Sequence, residues 1–146
     1  MLLQWTKELA IGHPIIDYDH QMLVNIANDL HHAVKFDQGD EEVERSLARL
    51  IQYIETHFAR EEALFDDSHY PHKEKHKKNH RDIEGLVRGF LTAFQADPEA
   101  VQMDKLLTFL KEWLLKHIGN LDRGYAEYVL KAEKKSGHIT QKKGFV

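Results

Sequence analysis

The sequence predicts an all-α protein: an antiparallel up-down-up-down four-helix bundle with an N-terminal arm and a short C-terminal tail. Three observations predict it. Four stretches repeat apolar residues at three- and four-residue steps, as helices with one buried face do. The breaks between them are short, which sets consecutive helices side by side and antiparallel. No stretch alternates apolar and polar residues as a half-buried strand would.

The elements follow in order. Residues 1–15, with Trp5, Ile11 and Ile15, read as an extended arm lying on the bundle. The first helix is predicted from Ile16 to Phe36, with Leu23, Ala27, Leu30 and Val34 inward. Gly39 breaks the chain, and Asp40 is placed to cap the second helix, from Glu41 to Phe65. Its stripe is Leu47, Leu50, Ile51, Ile54, Phe58 and Phe65. Pro71 suits the first turn of the third helix, which runs from His72 to Gln95 with Ile83, Val87, Phe90 and Phe94 on one face. Asp97 and Pro98 then stand as cap and first residue of a fourth helix, from Glu99 to Lys131. It carries Leu106, Leu110, Trp113, Leu114, Ile118, Leu121 and Val129. The whole chain, 1–146, reads as one domain: arm 1–15, bundle 16–131, tail 132–146. The Lys-rich end reads as a solvated, partly disordered tail, with lipid or partner binding as the sharper alternative.

Composition narrows the function. Hydrophobic residues make up 42% and charged residues 30%, an ordinary soluble balance. The formal net charge of -4 argues against nucleic acid as the main partner. No apolar run approaches the ~20 residues that span a bilayer, and the start "MLLQWTKELAIG" makes a poor signal peptide. The absence of Cys excludes disulfides, thiolate catalysis and iron-sulfur clusters, and fits a cytoplasmic, reducing location. The unusual count is eleven His, because imidazole is the commonest protein metal ligand.

Several of these histidines lie on the wrong face. His20 is three residues before Leu23 and points inward. In "HFAREE", His57 and Glu61 are four apart and share the apolar stripe of the second helix. In "HKKNH", His76 and His80 are also four apart, on the stripe continued by Ile83 and Val87. In "WLLKHIGNLD", His117 follows Leu114 by three. Any one of these alone reads as an ordinary core histidine. Together, five imidazoles and a carboxylate in a dry core would forfeit several kcal/mol unless something neutralised them, and a metal does. Asp122 is less clear from spacing. It is five residues after His117, ~140° away on an ideal helix, and reaches the same site only if the helix is distorted; Gly119 would ease that.

These residues, in this order, closely resemble the hemerythrin family, and bacterial hemerythrin-like domains in particular. The match covers nearly the whole chain: "IGHPIIDYDH" ending in His20, "HFAREE", "HKKNH", and "WLLKHIGNLD". The resemblance implies a non-haem di-iron centre, oxo- or hydroxo-bridged, held by His20, His57, His76, His80 and His117 with Glu61 and Asp122 as bridging carboxylates. It implies reversible dioxygen binding at one open coordination position. Two positions depart from the family's habit: Asp19 stands where Gln is common, and Ile83 where an aromatic is common. The remaining histidines, His13, His31, His32, His69, His72 and His138, match no ligand position and read as surface or loop residues; His72, four before His76, is the one with a conceivable peripheral contact.

The open position needs an apolar screen. Phe58, Trp113, Leu114 and Ile118 adjoin His57 and His117 in sequence and are the expected dioxygen pocket, besides being core. No Glu-x-x-His lies on an inward face, so the ligand set is imidazole-rich and less anionic than carboxylate-rich di-iron bundles. That favours reversible binding over substrate oxidation. The leading reading is therefore carriage, storage or delivery of dioxygen, without enzymatic activity. An oxygen or redox sensor, a di-iron enzyme acting on peroxide or nitric oxide, and a zinc or iron-storage bundle are the alternatives.

Overall fold

The structure, a computed structural model, describes the backbone of residues 1–118 and 122–136 and the side chains of 1–118 and 125–132. Among the described residues it is all-helical, with five α-helices: α1 (Pro14–Lys35), α2 (Asp40–Ser68), α3 (Lys73–Ala96), α4 (Met103–Lys116) and α5 (Asp122–Ser136). α1 packs on α2 and α4, and α2 packs on α3 and α5. None of these helices is long and apolar enough to cross a membrane.

Local chemistry sets the boundaries. α1 starts at Pro14, whose missing N–H costs nothing in a first turn. Its cap is His13: the ring Nδ1 accepts the Ile16 N–H at 3.3 Å. His13 thus stands in the loop before α1 and is buried there. Asp17 folds back to accept the N–H groups of Ile11 and Gly12 at 2.8 and 3.1 Å, which pins the bend where Gly12 takes φ +93°. α2 begins one residue earlier than expected. Gly39, at φ +100°, is its cap, and Asp40 joins Glu41 and Glu42 in the first turn, facing the positive end of the helix dipole. It ends on His69 in the left-handed conformation at φ 56°. Pro71 precedes α3 instead of opening it.

The fourth helical stretch differs most from expectation. Asp97 does act as a cap, accepting the Glu99 N–H at 3.2 Å, but it opens only a 3-10 turn over Pro98–Ala100. α4 starts afresh at Met103 and ends at Lys116, where His117 and Ile118 enter a widened π-type turn. α5 then begins at Asp122 and runs to Ser136, past the expected bundle end. Gly119 and Leu121, and the tail from 137 with His138, lie outside the described residues.

The N-terminal segment is held by a specific contact. Asn28 on α1 accepts the N–H groups of Leu2 and Leu3 at 2.8 and 3.0 Å and donates its amide to the Leu3 carbonyl at 2.8 Å. Leu2, Leu3, Trp5 and Leu9 then cover the main core.

The core is in two parts. A large apolar cluster joins α1 to α4, with Leu23, Leu30, Leu47, Ile54, Phe58, Val87, Leu110 and Leu114 among its members. Each such side chain contributes roughly 1.5–3 kcal/mol by leaving water. A smaller cluster holds Ile11, Ile16, Phe65, Tyr70, Tyr125 and Val129. Along α1 the order is Ile16, His20, Leu23; along α2 it is Phe58, Glu61, Phe65. The inward histidines form a polar layer between the two apolar clusters.

Candidate metal centre

The helical period delivers the polar layer. His20 comes from α1, His57 and Glu61 from α2, His76 and His80 from α3, and His117 from the end of α4. All six are buried. They gather into two sets, His20, His57, Glu61 and His117, and Glu61, His76, His80 and His117. Within each set one ligand atom per residue lies within 4.8 Å of all the others. Glu61 and His117 belong to both. Either set could hold a metal ion, and a pair of ions would share the Glu61 carboxylate.

Hydrogen bonds from the rings show which nitrogen faces the layer. His57 Nδ1 lies 3.0 Å from Asp19 Oδ2, and His80 Nδ1 lies 2.8 Å from Glu62 Oε2. An ionised carboxylate only accepts, so each Nδ1 carries a proton, and in the neutral ring each Nε2 keeps a lone pair. His80 Nε2 faces Glu61 Oε1 at 3.1 Å, and both atoms are buried without a hydrogen-bond partner. With the ring neutral, two lone pairs at that distance repel unless a proton or a metal ion sits between them. His57 Nε2 faces Glu61 Oε2 at 3.5 Å and His117 Nε2 at 3.4 Å. The donor set therefore fits a metal on the chemistry of its own atoms.

Electrostatics prepare the same state. Burial pushes His20 and His57 below the ordinary imidazole range and takes His76 down to about 4. Burial alone would push the Glu61 carboxyl up, but the electrostatic pull of His57 and His117 beside it outweighs this and holds it well below its ordinary value. Neutral imidazoles around an ionised carboxylate are what metal binding requires.

An outer layer of contacts orients these groups, and sequence spacing did not reveal it. Asp19, almost fully buried, accepts from His57, from the Tyr53 hydroxyl at 2.9 Å, and from Arg60 through two N–H groups at 2.8 and 2.9 Å. Burial pushes its carboxyl up, and the bonds from His57 and Arg60 outweigh this, leaving it at about 2. Glu62 is paired in turn with Arg81. The buried Tyr125 hydroxyl donates to Glu61 Oε2 at 2.6 Å. Such partners fix the ring orientation and basicity of ligating groups. The departure at Asp19 was the only visible trace; Glu62 and Tyr125 reach their partners across helices, where no spacing rule applies.

The four apolar candidates are all buried beside this layer. Phe58 stacks on His80 with centroids 3.7 Å apart and planes at 4°. Trp113 lies 5.2 Å from His117 and 5.9 Å from Phe58; its indole N–H is buried without a protein acceptor. Leu114 and Ile118 join the same cluster. Ile83, the other departure, is an ordinary member of it. Asp122 opens α5, and its side chain lies outside the described ones.

Comparison with known proteins agrees with this layout. Residues 12–129 match the model of the hemerythrin HHE cation binding domain. The chain is 35% identical to a bacteriohemerythrin of Pseudomonas aeruginosa over 129 residues, covering 87% of this chain and 81% of the relative. It is 34% identical to a bacteriohemerythrin of Stenotrophomonas maltophilia, covering 88% and 82%, and 25% identical to a myohemerythrin of Theromyzon tessulatum, covering 84% and 89%. With a matching domain model over most of its length and a buried His/Glu layer of the composition such a domain needs, the chain belongs to the hemerythrin family.

Proposed function

We propose that this chain is a non-haem di-iron protein that binds dioxygen reversibly, for carriage, storage or delivery, and that it is not an enzyme. His20, His57, His76, His80 and His117 would be the imidazole ligands, and Glu61 and Asp122 the carboxylate ligands. The widened turn at His117 and Ile118 supports Asp122, because a π-type turn brings residues five apart onto one face. The contacts of α4 with α1 and of α5 with α2 support α4 and α5 as two halves of one fourth bundle helix, antiparallel to its neighbours. The chain acts as a single cytoplasmic domain, with residues 1–15 as arm, 16–131 as bundle and 132–146 as tail.

One observation carries the reading: two buried ligand sets that share Glu61 and His117, drawn from all the helices α1 to α4. An iron pair held by these residues would supply the redox chemistry that reversible dioxygen binding needs. The protein does the rest. Asp19 and Glu62 hold the Nδ1 protons of His57 and His80, so that Nε2 stays available. Tyr125 holds Glu61 by its Oε2. Phe58, Trp113, Leu114 and Ile118 line the dioxygen pocket and keep water and anions from the open position, which slows irreversible oxidation.

The test is elemental analysis together with an absorption spectrum of the reduced protein, before air, after air, and after air is removed again. Two irons per chain and visible bands that come and go with oxygen are expected. One zinc without iron, or bands that never revert, would overturn the reading.

A further inference from the structure

A metal must cross the protein surface to reach this layer. His20, His57, Glu61, His80 and His117 show no exposure, whereas His76 keeps 4%. His76 also forms the inner wall of a surface cavity of about 270 Å³, whose other walls are Tyr70, His72, Lys75 and Asn79. His72 is exposed, at the turn just before α3. From it the rings lead inward: His72 to Tyr70 at 5.8 Å, Tyr70 to His76 at 6.1 Å, and His76 to His80 at 4.9 Å between centroids.

The lining chemistry selects a cation. Tyr70, His72 and Asn79 all offer lone pairs, and Asn79 Oδ1 is buried without a hydrogen-bond partner. Imidazole nitrogen and amide oxygen together suit a first-row divalent ion that still carries water. Lys75 is the single charged group in the lining, and its charge opposes a cation.

We propose that this cavity is the inlet through which a divalent metal ion reaches the buried centre, with His72 and Asn79 as transient ligands ahead of His76. The inference rests on the metal-centre reading above. Lys75 sets the rate at the mouth, and His72 makes the first capture.

The test uses the full chain stripped of metal, with helix content matched to the loaded form by circular dichroism. It is mixed anaerobically with Co²⁺, and the visible bands of imidazole-bound cobalt are followed in time. His72→Ala is expected to slow uptake several-fold. Lys75→Glu reverses a charge at the mouth and is expected to speed it on the order of tenfold, as focused charge does for association. Final cobalt per chain is expected to stay unchanged in both. His32→Ala removes an exposed histidine on α1 and is expected to load at the parent rate. Release to a chelator from the loaded chain is expected to follow the same order. Parent-like uptake in both His72→Ala and Lys75→Glu overturns the inlet, as does equal slowing by His32→Ala. A parent chain that takes up no cobalt at all defeats the centre itself, a separate and recognisable failure.

Discussion

Replacing Asp19 by Asn removes one charge and keeps the shape. Asp19 is almost fully buried and accepts four hydrogen bonds, from His57, Tyr53 and twice from Arg60. Its carboxyl is held at about 2 against an ordinary 3.8, which corresponds to roughly 2–3 kcal/mol of preference for the folded, ionised state. The lower end applies, because Arg60 is 44% exposed and part of its attraction is screened. The sign is that of a depressed acid. The stability is fully present above pH 3.8 and is lost as pH falls towards 2. Metal-free Asp19→Asn should therefore unfold in urea about 2 kcal/mol more easily than the parent at pH 7, and the gap should narrow as the pH falls from 3.8 towards 2. The same change loosens the His57 ring, so metal affinity by chelator competition should fall about 10–100-fold. Equal urea midpoints at pH 7 together with equal affinity would refute the claim that Asp19 holds His57.

Three other outcomes are expected. Leu114→Ala should autoxidise faster with iron content intact, at a stability cost of ~2–5 kcal/mol; Leu47→Ala, equally buried but far along α2, is the control, and equal autoxidation in the two would point to general loosening. Tyr125→Phe keeps the ring against Phe65, 4.8 Å away, but loses the bond to Glu61. It should cost about 1.5–3 kcal/mol, as for other hydrogen bonds to charged groups, and should speed metal loss to a chelator; an unchanged rate would show that Glu61 needs no such support. His76, at about 4 against 6.5, takes a proton more readily unfolded than folded. The metal-free chain should thus keep its stability above pH 6.5, lose up to about 1.4 kcal/mol per pH unit through this group below that, and level off near pH 4; a urea midpoint flat across this range would rule the effect out.

Most of the centre was legible because a helix has a fixed period. His57 with Glu61, and His76 with His80, share a face at four-residue spacing whatever the rest of the chain does. The convergence of six such side chains followed once four stripes were in hand. What the period could not show is where it stops. Leu110, Leu114, Ile118 and Leu121 continue one stripe through the point where α4 ends, so the break at His117 was hidden. Its trace was the awkward five-residue step to Asp122. Caps were misplaced by single residues, Asp40 for Gly39, because both residue types serve there. The capping role of His13 was not legible, because it depends on where the preceding turn points. Asp19, Glu62 and Tyr125 act across helices, and contacts of that kind leave no periodic mark.

The clamp at Asn28 has a practical consequence. An extended segment in a sheet is secured rung by rung, so its hold grows with its length. Here a single side chain grips Leu2 and Leu3, and the hold is a point anchor. Met1, 82% exposed, lies on the free side of it. A tag or fused segment added at that end pulls on the anchor and not on the helices, so the bundle is mechanically insulated from it. Losing Asn28 would reverse this: the leash would slip, and with it the cover that Leu2, Leu3 and Trp5 lay over the apolar core.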